Sequence, residues 1–310
     1  MGDEGAVMAT NDDASECKRG AVQLGYWTDN YISYFVRHME KRAPEINRGY
    51  YARVKGVDTF VQKFINRAGS NAQVVNFGAG FDTLYWRLKD EGVAISCYVE
   101  LDFPTVTAKK CYTIKKNKPL LDRIYQQDGE VKYSSTDMHS GNFHCLGVDL
   151  RQIKQLQEKL TQADIRFDKP TLFLAECVLV YIESDWASRL LKWLSSTFSR
   201  ALFINYEMCH MNDTFGNIMA ANLRARGCFL SGLSYCKSLE SQRGRFLDSG
   251  WTGAKAWDMV EVYHSLDPKE RDRIEKIEFL DEQELLLQLF QHYCICIGYM
   301  GEEYGDFELN

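Results

Sequence analysis

Short apolar runs alternate along this chain with segments that have the periodicity of helices. Residues 152–162 and 186–198 show the helical pattern most clearly. The apolar runs predict five buried strands, at residues 74–77, 97–102, 143–148, 171–175 and 201–206. Two later strands are expected, one after residue 252 and one at residues 292–300. Strands that alternate with helices are typical of a parallel sheet covered on both faces. The pattern therefore predicts an α/β fold with a doubly wound, seven-stranded, mostly parallel sheet.

The regions outside this alternation are the N-terminal part and the segment after the fifth strand. Residues 1–16 are small, polar and acidic, which predicts a disordered tail. Residues 17–310 are expected to form a single domain, with an N-terminal helical lid at residues 17–70. An insertion at about residues 207–237 follows the fifth strand, and such insertions lie at the carboxyl edge of the sheet, where ligands bind.

The predicted lid begins with a helix over residues 30–40. That helix is inferred from four apolar residues with helical spacing: Ile32, Phe35, Val36 and Met39. Residues 42–49 are expected to break it before a second helix begins. The lid would thus place two amphipathic helices ahead of the first strand.

Composition and charge narrow the range of functions. The net charge of −6 argues against a nucleic-acid partner, because such a surface usually has a basic excess. No apolar run approaches the roughly 18 residues of a membrane span, so we expect no membrane association. The ten cysteines include no C-x-x-C pair and are interpreted as reduced thiols rather than as a zinc site. We expect a metal-free monomer in the cytoplasm or nucleus.

The first strand runs directly into a glycine turn and a helical segment. Gly78 and Gly80 allow the backbone to turn sharply and to approach a ligand closely. A dinucleotide fingerprint requires a third glycine, and that position here holds Thr83. No other phosphate-binding glycine motif occurs in the chain. An adenosine ligand without phosphates fits this turn best, and S-adenosylmethionine is the common one.

Acidic residues follow three more of the predicted strands. Asp102, Asp149 and Glu176 all lie at carboxyl ends of strands, which converge on one crevice in an open parallel sheet. In such a site Asp102 would accept hydrogen bonds from the ribose hydroxyls. Asp149 and Leu150 would contact the adenine, and Gly78 the methionine end of the cofactor.

Several blocks of the sequence are similar to a known family. They include CKR at residues 17–19, APEINRGY at 43–50, the GAGxDT turn and AECVLVY at 175–181. In these blocks the chain resembles the eukaryotic leucine carboxyl methyltransferases. The resemblance implies a class I S-adenosylmethionine-dependent methyltransferase fold. It also implies an enzyme that esterifies the C-terminal leucine carboxylate of the protein phosphatase 2A catalytic subunit and so regulates assembly of the phosphatase holoenzyme.

The resemblance also implies roles for individual residues. The substrate carboxylate would be positioned by Lys18 and Arg53 with Tyr181 nearby, and no general base is expected. Cofactor contacts would come from eight residues: Lys18, Arg53, Gly78, Gly80, Asp102, Asp149, Leu150 and Glu176. The product of the cofactor would be S-adenosyl-L-homocysteine.

The sequence departs from the usual pattern of class I methyltransferases at one position. The acidic residue that ends the first strand in these enzymes is here Asn76. Two other functions are compatible with the same blocks. One is a small-molecule O-methyltransferase of the same superfamily, and the other is a catalytically silent protein that binds the cofactor and presents an interaction surface.

Overall fold

The computed structural model describes residues 4–37, 40–124 and 130–309 of the chain. Its helices are α1 (Glu4–Gln23), α2 (Ile32–Phe35), α3 (Pro44–Ala68), α4 (Leu84–Asp90), α5 (Pro104–Lys116), α6 (Lys118–Ile124), α7 (Ile153–Gln162), α8 (Ser184–Thr197), α9 (Thr214–Ala225), α10 (Leu239–Leu247), α11 (Met259–Ser265), α12 (Pro268–Glu275) and α13 (Gln283–Gln291). Its strands are β1 (Gln73–Phe77), β2 (Cys97–Asp102), β3 (Lys132–Tyr133), β4 (Met138–Ser140), β5 (Phe143–Gly147), β6 (Thr171–Glu176), β7 (Ala201–Met208), β8 (Gly253–Asp258) and β9 (Tyr293–Met300).

The strands form one sheet with the order β3-β4-β5-β2-β1-β6-β7-β9-β8. From β5 to β7 all neighbours are parallel, whereas β9 runs antiparallel to both β7 and β8. β1 lies at the centre, and Phe77 at its end is level with Leu101 of β2 and Ala175 of β6. Strands β2 and β5 lie on one side of β1, and strands β6 and β7 lie on the other side. Because the strand order reverses direction at β1, a crevice opens at the carboxyl ends of these strands.

The seven predicted strands are all present, but the sheet of the described residues has nine strands rather than seven. The two extra strands, β3 and β4, form an antiparallel extension beside β5. They are two and three residues long, and both residues of β3 are exposed. Such short segments cannot show the alternation of polar and apolar positions by which a strand is predicted.

The prediction of a disordered tail at residues 1–16 is wrong for residues 4–16, which form most of helix α1. This helix packs on α3, and Ser15 and Cys17 are buried. Several of its polar residues bind distant parts of the protein, as Asn11 does with Phe81 and Asp13 with Arg226, although its composition resembles that of a disordered segment. Residues 1–3 lie outside the described residues.

The predicted helix over residues 30–40 is reduced to the four residues of α2, and Met39 lies outside the described residues. The next helix begins earlier than expected, because Pro44 occupies the first turn of α3. Proline is favoured there, since its missing N–H would have no partner within the helix. The block at residues 43–50 is therefore mostly helical rather than a break.

Alternate residues of the strands pack on opposite faces of the sheet. Val74 and Leu172 belong to the core layer beneath α3, whereas Val75 and Phe173 belong to the layer on the other face. A third, small apolar cluster lies under the predicted insertion and includes Met211. The sheet is thus covered on both faces, and α1 and the insertion lie at its carboxyl edge.

Candidate functional site

A cavity of about 1210 Å³ opens at the carboxyl ends of the central strands. Helix α1, the glycine turn after β1 and the insertion after β7 all contribute to its wall. The structure brings every predicted site residue to this one cavity: Lys18, Arg53, Gly78, Gly80, Asp102, Asp149, Leu150, Glu176 and Tyr181.

The glycine turn requires glycine at both predicted positions. Gly78 and Gly80 have φ angles of +59° and +48°, which L side chains rarely adopt. A Cβ at Gly78 would lie 2.6 Å from Cγ2 of Val178, and a Cβ at Gly80 would collide with the side chain of Asn11. Asn11 also accepts a hydrogen bond of 2.8 Å from the Phe81 N–H. Helix α1 therefore sits directly on the turn.

Asp102 ends β2 beside this turn. Its carboxylate accepts one hydrogen bond from the Gly80 N–H and another from the Phe103 N–H, each 2.7 Å long. Burial raises the pKa of Asp102, although both backbone donors oppose that shift. An ionised carboxylate can accept about four hydrogen bonds, so the two oxygens retain capacity for ligand hydroxyls.

Glu176 lies at the centre of a charge cluster deep in the cavity. Its Oε2 is 2.6 Å from Nε of Arg53, and its Oε1 is 3.5 Å from Nζ of Lys18. Burial alone would raise the pKa of Glu176, but these two cations outweigh burial and lower it to about 2. Burial would likewise lower the pKa of Arg53, and pairing with Glu176 instead raises it well above its usual value. Glu176 and Arg53 are therefore both charged at neutral pH.

Asp82 is a fourth member of this cluster, and the sequence analysis did not select it. Its carboxylate accepts hydrogen bonds of 2.9 Å from the side chain of Asn76 and from the Thr83 N–H. It also lies 3.7 Å from Nζ of Lys18. Asn76, the penultimate residue of β1, is thus uncharged and holds the carboxylate of Asp82 in place. The signal was in the sequence, since Asp82 belongs to the glycine-turn block.

Asp149 has a partner that the sequence analysis also missed. Arg151 binds both oxygens of Asp149 at 2.7–3.0 Å and reaches Glu4 of α1 at 2.5 Å. Although burial opposes it, the guanidinium of Arg151 lowers the pKa of Asp149. Leu150 between them is buried and lines the cavity. One cation therefore connects the predicted adenine site to the helix above it.

Aromatic side chains form the wall beyond Arg53. Its guanidinium carbon lies 4.6 Å from the ring centre of Tyr206 and 5.5 Å from that of Tyr50. Tyr206 in turn stacks on Tyr293 at 5.5 Å. Burial raises the pKa of Tyr181 well above its usual value, so its hydroxyl stays protonated and can donate a hydrogen bond. The described lining contains no histidine.

The described residues contain neither a helix that could span a membrane nor a side-chain group that could hold a metal ion. None of their helices is long and apolar enough to cross a membrane. No group of three or more histidine, cysteine, aspartate or glutamate residues among them is arranged to hold a metal ion.

The chain is similar to proteins of one family over nearly its full length. A family model described as leucine carboxyl methyltransferase matches residues 6–195. The leucine carboxyl methyltransferase 1 of Bos taurus is 48% identical over 304 residues, which cover 96% of this chain and 91% of the bovine protein. The protein of the same name from Caenorhabditis elegans is 44% identical over 305 residues, which cover 95% of this chain and 91% of that protein.

Comparison with solved structures supports the fold. A DUF574 family protein from Streptomyces avermitilis superposes with a TM-score of 0.54 at 11% identity, covering 92% of this chain and 97% of the other. At that identity the likeness concerns the fold alone. A putative methyltransferase from Thermobifida fusca superposes with a TM-score of 0.53 at 13% identity, covering 92% of this chain and 94% of the other. Together with the strand order, these two structures assign the chain to the class I methyltransferase fold.

Proposed function

The chain belongs to the leucine carboxyl methyltransferase family, and we propose that it takes its methyl group from S-adenosyl-L-methionine. Family membership makes it a protein leucine carboxyl methyltransferase, which forms a methyl ester on a C-terminal leucine. In our proposal the acceptor is the catalytic subunit of protein phosphatase 2A, and the ester regulates holoenzyme assembly. The observation that supports this proposal best is the buried cluster of Lys18, Arg53 and Glu176 in a cavity with no histidine in its described lining.

The residues of the cavity fit an S-adenosyl ligand. Asp102 retains acceptor capacity for the two ribose hydroxyls, and the backbone of the glycine turn lines the cavity beside it. Lys18 and Arg53 are cations for the ligand's carboxylate, and Asp82 and Glu176 are anions for its amino group. The cavity of about 1210 Å³ exceeds the roughly 300–1,000 Å³ of most small-molecule sites. It therefore has room for a peptide terminus as well.

The proposed reaction needs no proton transfer from the protein. A peptide α-carboxylate has a pKa of roughly 3.3–3.7 and is ionised at neutral pH. The cofactor, when bound, supplies a methyl group on a positively charged sulfur. The protein's contribution is to align the two groups and to exclude water from them. Helix α1 and the aromatic wall at Tyr206 provide that enclosure, and protonated Tyr181 can orient the carboxylate through its hydroxyl.

A methylation assay tests the proposal against its alternatives. The enzyme is incubated with methyl-labelled S-adenosylmethionine and the phosphatase catalytic subunit, either intact or without its terminal leucine. We expect label only on the intact subunit, and we expect base to release it, because methyl esters hydrolyse. Label on small carboxylic acids but not on the subunit would favour a small-molecule methyltransferase. Cofactor binding without any transfer would favour a silent interaction protein.

A further inference from the structure

The short turn that carries Tyr181 into the cavity is bound from two sides. This Tyr181 turn is a 3-10 helix at Leu179–Tyr181, and Val180 at its centre is completely buried. The Val180 N–H donates a hydrogen bond of 2.9 Å to Oε2 of Glu207 in β7, and the Val180 carbonyl accepts one of 2.7 Å from the Gly232 N–H in the insertion. Because these bonds fix the backbone immediately before Tyr181, they set the position from which its side chain enters the cavity.

Gly232 packs against the Tyr181 turn without space for a side chain. A Cβ at Gly232 would lie 2.4 Å from the Leu179 carbonyl oxygen and 3.0 Å from Cα of Val180. Both atoms belong to the backbone, so they cannot move aside as the end of a flexible side chain could. The insertion is therefore in direct contact with the backbone of the Tyr181 turn.

Glu207 is a buried carboxylate that does not line the cavity. None of its side chain is exposed, and its Oε1 accepts a second hydrogen bond of 3.0 Å from the Met208 N–H. Burial raises the pKa of Glu207, and the nearby Arg245 together with the two backbone donors opposes that shift. Its backbone pairs with Cys294 of β9. The carboxylate therefore extends from a strand inside the sheet to the Tyr181 turn.

Arg245 of α10 is the counterion of Glu207. Its Nη1 lies 4.0 Å from Oε2 of Glu207, and only 1% of the arginine side chain is exposed. Its Nη2 donates a hydrogen bond of 3.5 Å to the Gly232 carbonyl, and its guanidinium carbon lies 4.9 Å from the ring centre of Tyr235. A buried pair separated by 4.0 Å compensates only part of the cost of burying two charges, so stability alone does not account for it. The arginine also connects the carboxylate to the insertion, which holds the other side of the Tyr181 turn.

We infer that Glu207 is a positioning residue for Tyr181 and that Arg245 supports it as its counterion, although neither residue lines the cavity. This inference rests on the proposed function, in which the Tyr181 hydroxyl orients the substrate carboxylate. Glu207 takes no part in bond making. It holds the Val180 backbone, and thereby the direction in which the hydroxyl points. Transfer is sensitive to such a shift, because a displacement of about 1 Å can cost roughly 100-fold in rate.

A double-variant cycle with Tyr181 tests the inference. Glu207→Gln leaves one amide oxygen for two backbone donors, whereas Tyr181→Phe removes only the hydroxyl. We expect each single variant to lower kcat/KM for the intact phosphatase subunit by at least tenfold. Because Glu207 acts through the hydroxyl, adding Glu207→Gln to Tyr181→Phe should cause no further loss. Losses that multiply in the double variant would overturn the inference.

Gly232→Ala tests the same turn from the insertion and leaves both buried charges in place. We expect it to lower kcat/KM at least fivefold, again with no further loss when Tyr181→Phe is also present. Gly244→Ala on α10 is the matched control, since the nearest atom to its new Cβ would be Oδ2 of Asp248 at 3.9 Å. That control should keep the native kcat/KM, and equal losses in the two alanine variants would contradict the inference.

Amide hydrogen exchange separates positioning from a general loss of stability. Glu207→Gln should speed exchange in the peptide that contains the Tyr181 turn by at least tenfold. Asp58→Asn is the matched control, because it removes another partly buried carboxylate, paired with Arg87 at 2.8 Å outside the cavity. It should lower the melting temperature without speeding exchange in that peptide.

Two exchange results would overturn the inference. One is unchanged exchange of the Tyr181 turn in Glu207→Gln, and the other is an equal rise in Asp58→Asn. Failure of the proposed function is a separate outcome, because the native enzyme would then leave the phosphatase subunit unmethylated. Hydrogen exchange would still show whether Glu207 holds the turn.

Discussion

Glu176 shows how burial and charge combine at a single residue. It ends β6, and the residue after it, Cys177, has a φ angle of +56°, a strained value for any residue other than glycine. Strain of this kind is common where a site demands a particular backbone path. The turn leaves Glu176 facing two cations from the N-terminal helices, Lys18 of α1 and Arg53 of α3. One carboxylate thus joins the sheet to both helices that cover it.

The lowered pKa of Glu176 predicts a specific pH dependence of stability. Its pKa is about 2 in the folded protein, against 4.5 for an ordinary glutamate. A lowered pKa stabilises the fold above the unfolded value, and this stabilisation is lost as the pH falls toward the folded value. The native protein and Glu176→Gln should therefore differ less in their free energy of unfolding at pH 3.5 than at pH 7. The difference should shrink by roughly 1 kcal/mol over this range. Urea titrations at both pH values measure the difference, and a difference that does not change with pH would contradict the assignment.

Asp102 yields a prediction that separates ligand binding from folding. Asp102→Ala removes the acceptor proposed for the ribose and also leaves the Gly80 and Phe103 N–H groups without their partner. We expect cofactor binding to weaken by about 1.5–3 kcal/mol and the melting temperature to fall as well. Calorimetry with S-adenosylhomocysteine gives the first quantity. Unchanged affinity in a variant with a lowered melting temperature would show that Asp102 only shapes the turn.

At the scale of elements, α1 is the largest difference between sequence and structure. Three of its contacts reach across the cavity: Asn11 to the Phe81 N–H, Glu4 to Arg151 and Asp13 to Arg226. Composition predicts disorder when a segment has too few apolar residues to form a core, and this reasoning led to the wrong prediction for α1. Here the partners of the polar residues lie 70 to 213 positions away, and no local pattern contains that information.

The contacts of α1 predict slower release of the cofactor than an open crevice would allow. Asp13→Asn removes the ion pair with Arg226 at the end of α9, whereas its neighbour Asp12 is exposed and is hydrogen-bonded only to the adjacent Asn11. Exposed ion pairs contribute about 0.2–1 kcal/mol, so we expect a rise of about 1.4- to 5-fold in the dissociation rate of S-adenosylhomocysteine. Stopped-flow displacement measures this rate. Asp12→Asn is the control, and equal rates in both variants would mean that the ion pair does not hold the helix.

The central elements were predictable because their periodicity is local. All seven long strands and the helices α7 and α8 follow from apolar spacing. The meeting of Gly78, Asp102, Asp149 and Glu176 at one cavity was predictable for a related reason, since strand ends of a parallel sheet meet at one edge. Lys18, Arg53 and Tyr181 were expected only from the family resemblance. Asp82 and Arg151 were missed although they adjoin predicted residues. Their importance comes from ion pairs with residues far along the chain, which sequence spacing does not show.

Over the whole molecule, the insertion after β7 is tied to the sheet by polar contacts. His292, just before β9, lies 2.9 Å from the carboxylate of Asp213, which also caps α9 through the Gly216 N–H. Just after the other end of the insertion, Gln242 of α10 donates a hydrogen bond to the Met208 carbonyl. The insertion is therefore a fixed part of the cavity wall, and its outer face exposes Ile218, of which 55% is accessible.

This outer face leads to a prediction about the folded phosphatase. A terminal tail offers few contacts, so we expect the folded subunit to bind outside the cavity, on the insertion or on the N-terminal helices. Ile218→Ser should then lower kcat/KM for the intact subunit by about fivefold or more, a cost of roughly 1 kcal/mol that is typical of contributing interface residues. The kcat/KM for a free tail peptide should stay unchanged.

Leu247→Ser is the matched control, because Leu247 is a similarly exposed aliphatic residue on α10, outside the cavity lining. Equal losses for the intact subunit and the peptide would place Ile218 in the catalytic enclosure instead of a docking surface. A native enzyme that methylates the peptide as efficiently as the intact subunit would show that no such surface is needed.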